Sequence, residues 1–386
     1  MSEIVKKSLC CGCHACYNIC PKKAITMKDD KKGFKYPIID NDICINCNLC
    51  KNVCPILNNK NDVEKKVYAY ACYNKNIDER LKSSSGGIFI LFAKEIIKKN
   101  GVVFGASFDK KFNVVHSYVE KIEELGTLMT SKYTQSIIGN AYSKVKYFLK
   151  KGRYVLFTGT PCQIEGLYSF LKKDYEKLYT QDIICHGVPS PKVWRKYLDY
   201  QKSFYKDSIK NISFRDKSSG WKLYRIKILF KSNFYSEVHS DDLYMQVFLK
   251  NVCLRDSCYN CQFKKKYRKS DVTLADYWGV DNVHPEMNDD NGISLLIINS
   301  DKGKELFNSV KGDMCYLETD FNKAIKYNSA MLNSVNHCKK EKIFFDKLDV
   351  IRFDKLIKKC VPKRSFLRIM IDKLKRKLKK GLHRKK

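Results

Sequence analysis

Two runs of cysteines near the start of the chain carry the clearest chemistry. Cys10, Cys13, Cys16 and Cys20 are followed by Pro21, and Cys44, Cys47, Cys50 and Cys54 are followed by Pro55. Each run reads C-x2-C-x2-C-x3-C-P, the spacing with which thiolates wrap 4Fe-4S clusters. Three thiolates separated by two residues each cover one face of a cubane from a single loop. The fourth, three residues on, is carried by a helical turn to the other cluster. The expected ligand sets are therefore Cys10, Cys13, Cys16 and Cys54 on one cluster, and Cys44, Cys47, Cys50 and Cys20 on the second. The proline after each fourth cysteine removes a backbone donor and redirects the chain. Zinc is the rival ligand, but its cysteine pairs usually come as two-plus-two sets. Disulfides are disfavoured because nothing in the sequence directs the chain to an oxidising compartment. Cys11 fits neither run and reads as a bystander thiol.

The elements that must hold these residues follow from the rest of the chain. With 386 residues there is room for two or three domains. Eighteen cysteines without a charged, then apolar, leader point to a reducing cytoplasm and to metal or redox work. The longest apolar stretches, 88–93 and 293–298, are too short to span a bilayer. Lys and Arg number 74 against 41 Asp and Glu, a net charge of +33. That surplus favours anionic partners: nucleotide cofactors, sugar phosphates, an acidic membrane surface or nucleic acid. Nucleic acid ranks last, since no recognition module accompanies the charge.

The run 58–62 is polar and reads as a linker, after which strands and helices mix. Strands are expected at 67–73, 102–108, 114–119, 153–157, 178–185, 212–215, 222–230, 271–278 and 293–298. Helices are expected at 88–99, 140–150, 163–171, 191–201, 243–250, 302–310 and 322–326. Lys82-Ser-Ser-Ser-Gly-Gly87 stands just ahead of the first helix, where backbone N–H groups and the positive helix end would face a phosphate or carboxylate. An equal alternative is a serine N-cap on a flexible turn. Thr160 and Gln163 form a capping box with Pro161 at the first helical position. Cys162 then lies in the first helical turn, where the macrodipole favours a thiolate. Cys253, Cys258 and Cys261 make a C-x4-C-x2-C run ahead of Lys264, Lys265, Lys266 and Arg268.

In order along the chain, KSSSGGIF, FTGTPCQIEGL, DIICHGVPSPKVW, FRDKSSGWK, SCYNCQFK and SDVTLADYWG resemble the coenzyme F420 hydrogenase/dehydrogenase beta-subunit family. In particular they resemble its bacterial branch with an N-terminal two-cluster ferredoxin domain, often encoded among polysaccharide-biosynthesis genes. The resemblance covers roughly 10–279. It implies a flavoprotein that binds FAD, holds iron-sulfur clusters and passes electrons between the flavin and a partner or small substrate. It implies that Ser84, Ser85, Gly86 and Gly87 lie at the flavin, with Thr158, Thr160 and Asp276 near it. Cys162, Cys185, Cys258 and Cys261 become candidates for a third 4Fe-4S cluster, with Cys253 competing for a place. Lys132 is a candidate for holding an anionic substrate or cofactor, and His186 for donating a proton. No sequence feature establishes a deazaflavin site.

The expected fold is α+β: a ferredoxin-type domain over 1–60, a larger mixed α/β flavin-binding domain over 63–345, and a basic amphipathic helical tail over 346–386. The tail places Leu367, Ile371, Leu374, Leu378 and Leu382 on one face, suited to an anionic membrane surface or to packing on the protein itself. Expected partners are a redox protein or reduced ferredoxin and a small substrate such as a sugar derivative. The expected location is the cytoplasm, with peripheral contact at the inner membrane surface through the tail. A non-catalytic electron-transfer subunit docking to a separate enzyme is the rival reading. Cys72, Cys315, Cys338 and Cys360 follow no ligand spacing, and His116, His284 and His337 read as structural.

Overall fold

Apolar runs rich in Val, Ile and Leu form the middle of an eight-stranded sheet in the computed structural model, which describes residues 3–59 and 63–361. The strands of the chain are β1 (Ile25–Asp29), β2 (Lys35–Ile39), β3 (Tyr68–Asn74), β4 (Val102–Phe108), β5 (Val114–Val119), β6 (Val155–Thr158) and β7 (Leu178–Ile183). They continue with β8 (Ile209–Asp216), β9 (Arg225–Phe230), β10 (Phe234–Val238), β11 (Val272–Asp276), β12 (Ser294–Ile298) and β13 (Met314–Thr319). The large sheet runs β13-β3-β12-β11-β7-β6-β4-β5. Every residue of β12 is buried, as expected where both faces of a strand are covered.

Direction is what matters for function. β4, β6, β7 and β11 pair in parallel. Their carboxyl ends, Phe108, Thr158, Ile183 and Asp276, therefore share one edge of the sheet. β3 runs the same way, since it is antiparallel to β12 and β12 to β11. Its end, Asn74, donates to the Gly86 carbonyl at 2.7 Å, which ties the serine-glycine turn to that edge. Ligands of parallel α/β sheets bind at such carboxyl ends.

The helices Ile88–Lys98 and Asp301–Val310 cover one face, packing Phe92, Ile96, Leu306 and Phe307 against Val103, Leu156 and Leu296. The other face takes the helices Ala141–Lys150 and Pro161–Leu171 around Val102, Phe104, Val155 and Phe157. The same core includes Cys11, Cys13, Ala15 and Val53 of the N-terminal unit, so that unit is seated on the body. It consists of the β1-β2 hairpin and the short helices Ala15–Ile19 and Leu49–Asn52.

A second lobe joins the three-stranded sheet β10-β9-β8 to the helices Pro191–Tyr205, Leu243–Leu249, Glu341–Lys347 and Phe353–Cys360. Buried Trp194, Tyr197, Phe214 and Tyr244 fill it. Asp242 caps the helix Leu243–Leu249 through Met245 N and accepts from the Tyr197 and Tyr235 hydroxyls, so its buried carboxylate is satisfied. The first residues of the expected 346–386 tail pack here. Phe353, Leu356, Ile357, Cys360 and Val361 belong to the lobe's core, because the apolar side of their helix has the facing helices to bury against. The amphipathic stretch 366–382 lies outside the described residues, as does part of the 58–62 linker. Among the described residues no helix is long and apolar enough to cross a membrane.

Candidate functional site

Within the N-terminal unit the two cysteine runs approach one another. Cys16 has Cys10, Cys54 and Cys50 as electrostatic neighbours, and Cys50 has Cys47 and Cys44. The last cysteine of the second run thus stands with the first. Cys20 Sγ accepts from Ala24 N at 3.3 Å. Beside Cys10 sits Arg255, only 1% exposed. It donates to Cys10 O at 2.7 Å, Gln135 Oε1 at 2.9 Å, Lys35 O at 3.0 Å and Cys10 Sγ at 3.7 Å, and lies 4.1 Å from the centre of the Tyr36 ring. Those hydrogen bonds include no carboxylate. A buried guanidinium without one calls for another anion, and thiolates around Cys10 fit that need. The same charge, after burial itself, helps hold the pKa of His14 down to about 3.

A second group of thiols surrounds a cavity at the carboxyl edge. It is lined by Cys162, Cys185, Cys258 and Cys261, together with Thr160, His186, Lys264, Arg268 and Cys11. Cys162 is placed by the expected capping box: Thr160 is the N-cap, Pro161 opens the helix, and Gln163 Oε1 accepts from Thr160 N at 2.9 Å. Cys185 follows β7. Cys258 and Cys261 come from the 3-10 turn Asp256–Asn260 and the residue after it. Lys264 Nζ reaches the Cys185 and Ala330 carbonyls, while Arg268 pairs with buried Asp182 at 3.0 Å. Burial pushes the Cys185 thiol up to about 12, and Lys264 is the strongest charge opposing that rise. The cavity therefore carries cations suited to bound thiolates. Among the described residues, no three Cys, His, Asp or Glu side chains gather tightly enough for a single metal ion.

Two expectations change at this cavity. Cys253 is fully buried in the second lobe's core, its carbonyl accepting from Ser190 N at 2.8 Å, so its sequence spacing to Cys258 does not bring it to the cavity. Cys11, expected as a bystander, lines the cavity together with Cys162.

Around the serine-glycine turn a polar frame assembles at the same sheet edge. Ser84 Oγ accepts from Ser131 N at 2.7 Å, and its carbonyl accepts from Arg215 Nη2 at 2.9 Å. Ser85 Oγ donates to Ile293 O at 2.7 Å, and Gly86 N donates to Ser294 Oγ at 3.0 Å. Gly87 is the N-cap of the helix Ile88–Lys98, and no side chain caps it, which leaves first-turn N–H groups for a ligand. Asp276 accepts from Arg215 Nη2 and Trp221 Nε1, each at 2.8 Å. Thr158 Oγ1 donates to Phe104 O at 3.0 Å, and its carbonyl accepts from His116 Nε2 at 3.0 Å. Lys132 Nζ donates to Met129 O at 2.8 Å, and burial lowers its pKa to about 7.

The structure thus brings Ser84, Ser85, Gly86, Gly87 and Asp276 into one frame but assigns two candidates elsewhere. Thr160 faces the cysteine cavity, with Oγ1 3.1 Å from Cys162 Sγ. His186 lines that cavity too, its Nε2 held 2.7 Å from Asn251 Oδ1. The residues missed in sequence are Arg215, Lys217, Trp221 and Arg255. Lys217 Nζ binds the Arg80, Ser85 and Asn291 carbonyls at 2.6 to 2.7 Å and so clamps the turn. Three of the four sit inside FRDKSSGWK.

Residues 152–323 match the family described as the C terminus of the coenzyme F420 hydrogenase/dehydrogenase beta subunit. Residues 9–57 match the 4Fe-4S dicluster domain. Along the chain, a match to a domain for two 4Fe-4S clusters thus precedes a match to the C-terminal part of that beta subunit. No curated protein sequence matches this chain. Among solved structures, a chain of the F420-reducing [NiFe] hydrogenase complex from Methanosarcina barkeri is similar, at 15% identity and a TM-score of 0.48, covering 74% of this chain and 93% of that one.

Proposed function

We propose that this protein is an iron-sulfur flavoprotein oxidoreductase that passes electrons from a ferredoxin-type donor through 4Fe-4S clusters to FAD and on to a small substrate. The carrying observation is that the N-terminal unit sets Cys13 against the helix that bears Cys162, so the head and cavity thiols adjoin at the edge where the serine-glycine turn also lies. Cys10, Cys13, Cys16 and Cys54 would hold one cluster, Cys44, Cys47, Cys50 and Cys20 a second, and Cys162, Cys185, Cys258 and Cys261 a third. When bound, clusters carry single electrons and a flavin exchanges either one or two, which is the chemistry the cofactors supply.

The chain's own residues bind, orient and neutralise. Arg255, Lys264 and Arg268 offset the charge of thiolate centres. The uncapped start of the helix Ile88–Lys98, with Lys132 nearby in the frame, suits the diphosphate of a dinucleotide. Arg215 and Lys217 hold the Ser84 and Ser85 carbonyls and so fix the turn ahead of that helix start. Thr158 and Asp276 shape the neighbouring wall. His186, fixed by Asn251, serves the cysteine cavity as a proton-holding neighbour. A reducing cytoplasm and a sugar-derived substrate from polysaccharide assembly are the setting this reading favours.

Anaerobic iron, sulfide and flavin analysis tests it. About twelve irons per chain and one FAD are expected, and colourless protein without flavin defeats the reading. The rival, a non-catalytic electron-transfer subunit, draws support from exposed Cys47 with Ile43 and Ile45 beside it, a surface suited to a protein partner. Reduction of substrate by the isolated chain excludes the rival, and reduction only with an added partner enzyme selects it.

A further inference from the structure

The tip of the β1-β2 hairpin, residues 30–33, is clasped by the second lobe. Gly33 has φ +83, and a Cβ on it would meet Lys192 Cβ and stand 2.9 Å from Lys192 N. Only glycine lets the tip press so closely on the start of the helix Pro191–Tyr205. There Ser190 Oγ donates to the Lys32 carbonyl, and Lys192 Nζ donates to the Lys31 carbonyl at 3.2 Å. The Lys32 ammonium reaches further, to 2.6 Å from Asp256 Oδ1 and 2.7 Å from Glu341 Oε1. The Glu341 side chain is 4% exposed, and its other oxygen lies 2.6 Å from His337 Nε2.

Those grips fall on the two segments that deliver cavity thiols. Residues 188–190 and 253–255 run side by side, with an antiparallel bridge between Pro189 and Leu254. Ser190 N donates to Cys253 O at 2.8 Å, and Arg255 N donates to Val188 O at 3.0 Å. One segment follows Cys185 and the other runs on to Cys258, whose Sγ accepts from Val188 N at 3.4 Å. Ser190 ends the first segment, and Asp256 stands just past the second. Lys32 therefore holds both at the same end.

We propose that Lys32 is a positioning residue for the cavity: by holding Ser190 and Asp256 together, the hairpin tip of the head fixes the paired segments that present Cys185 and Cys258. This inference rests on the third cluster proposed above. A 3-10 turn as short as Asp256–Asn260 has too few internal hydrogen bonds to set its own place. An ammonium shared by two carboxylates, one of them buried, supplies an anchor that an exposed ion pair would not. Lys32 touches no thiol and acts through the backbone that carries them, as outer partners of metal ligands commonly do. The head's own ligands are grouped by covalent spacing and do not need the grip. The head is thus part of the scaffold of the cavity as well as a site in its own right.

The test follows anaerobic iron release to a chelator from full-length wild type, Lys32→Met, Lys32→Arg and Asp256→Asn, with electron paramagnetic resonance of the reduced proteins alongside. Wild type is expected to hold about twelve irons. From Lys32→Met and Asp256→Asn about four of them are expected to leave about tenfold faster, with the signal of one cluster altered and the release of the others unmoved. Lys32→Arg, whose guanidinium still pairs with both carboxylates, is expected to stay close to wild type. Unchanged release from Lys32→Met overturns the proposal. So does faster release of all the irons together, the mark of a general loss of stability, and so does Lys32→Arg releasing as fast as Lys32→Met. Should Lys32→Met fail to accumulate, Asp256→Asn decides by the same criteria, since it leaves Lys32 paired with Glu341. A wild type with only about eight irons shows instead that the third-cluster reading has failed, and the count reveals this before any variant is compared.

Discussion

The thiols of the head and those of the cavity are built in opposite ways. In the head, eight cysteines come from two short loops, so their grouping follows from covalent spacing and one helical turn apiece. In the cavity, Cys162, Cys185, Cys258 and Cys261 arrive from a helix start, a strand end and a 3-10 turn. Parallel strands bring the first two together by ending at one edge, and the turn is delivered from the second lobe. The contrast teaches that a locally specified metal site tolerates distant damage, whereas a site assembled at a sheet edge depends on the whole fold. Cations follow the same division: Arg255 comes from outside the head to serve it, while Lys264 and Arg268 follow closely on Cys261.

The largest expected effect separates the two directly. Cys258→Ala should remove about four irons and leave about eight in the head, and Cys13→Ala should remove about four from the head and leave about four there and about four in the cavity, with electron delivery to the acceptor falling to background in both. Iron and sulfide counts with paramagnetic spectra of the reduced protein check this, and loss of all iron from either variant would merge two regions that the fold keeps separable.

Next in size, Arg255→Met should cost about 3 kcal/mol in denaturant titrations under anaerobic conditions, because it strips the buried charge partner from Cys10. A midpoint equal to wild type would mean that the head sits on the body without help from the guanidinium.

A smaller effect is expected at the serine-glycine turn. A Cβ on Gly86 would lie 2.5 Å from Cys72 O and 2.8 Å from Ser294 N, both backbone atoms that cannot swing aside. Gly86→Ala should therefore cost about 1–3 kcal/mol of strain and release flavin, with iron content intact. Ultrafiltration of bound flavin reads the outcome, and iron lost in parallel would tie the turn to the clusters.

The smallest effect is a pH dependence. Burial lowers Lys132 to about 7 from 10.5. Between those values the unfolded chain holds a proton that the folded one has released, so this group makes stability rise with pH across that window. Its penalty is complete below about pH 7. Lys132→Met should be more stable than wild type at low pH, with the gap closing as pH climbs toward 10.5, as urea midpoints across the range would record. Binding of an anionic cofactor should run the other way and weaken above pH 7, where the wild-type lysine is neutral.

Much of the fold could be read from the sequence where apolar period and caps agreed. β4 and β5 fall where alternation places them, and the Thr160–Gln163 capping box starts its helix as expected. The hairpin β1-β2, edge strand β13 and helix Phe353–Cys360 escaped notice, because short or strongly charged segments such as KYPII, MCYLET and FDKLIKKC gain their apolar contacts only from neighbours distant in sequence. At the site, Ser84, Gly86 and Asp276 were singled out only through the resemblance, and Arg215 was not singled out at all. A lone arginine in a chain with 74 basic residues says nothing until its guanidinium is seen on both the Ser84 carbonyl and Asp276.

Sequence by itself determined the two-cluster head, since ligands a few residues apart are held near one another by covalent geometry whatever the rest of the chain does. It also determined the turn chemistry that starts the helix carrying Cys162. Tertiary structure alone decided which later cysteines face a common cavity, excluding Cys253 and admitting Cys11. The reason is that strand ends become neighbours only once the sheet has formed, and a thiol's partners across a domain contact depend on packing that no local spacing encodes.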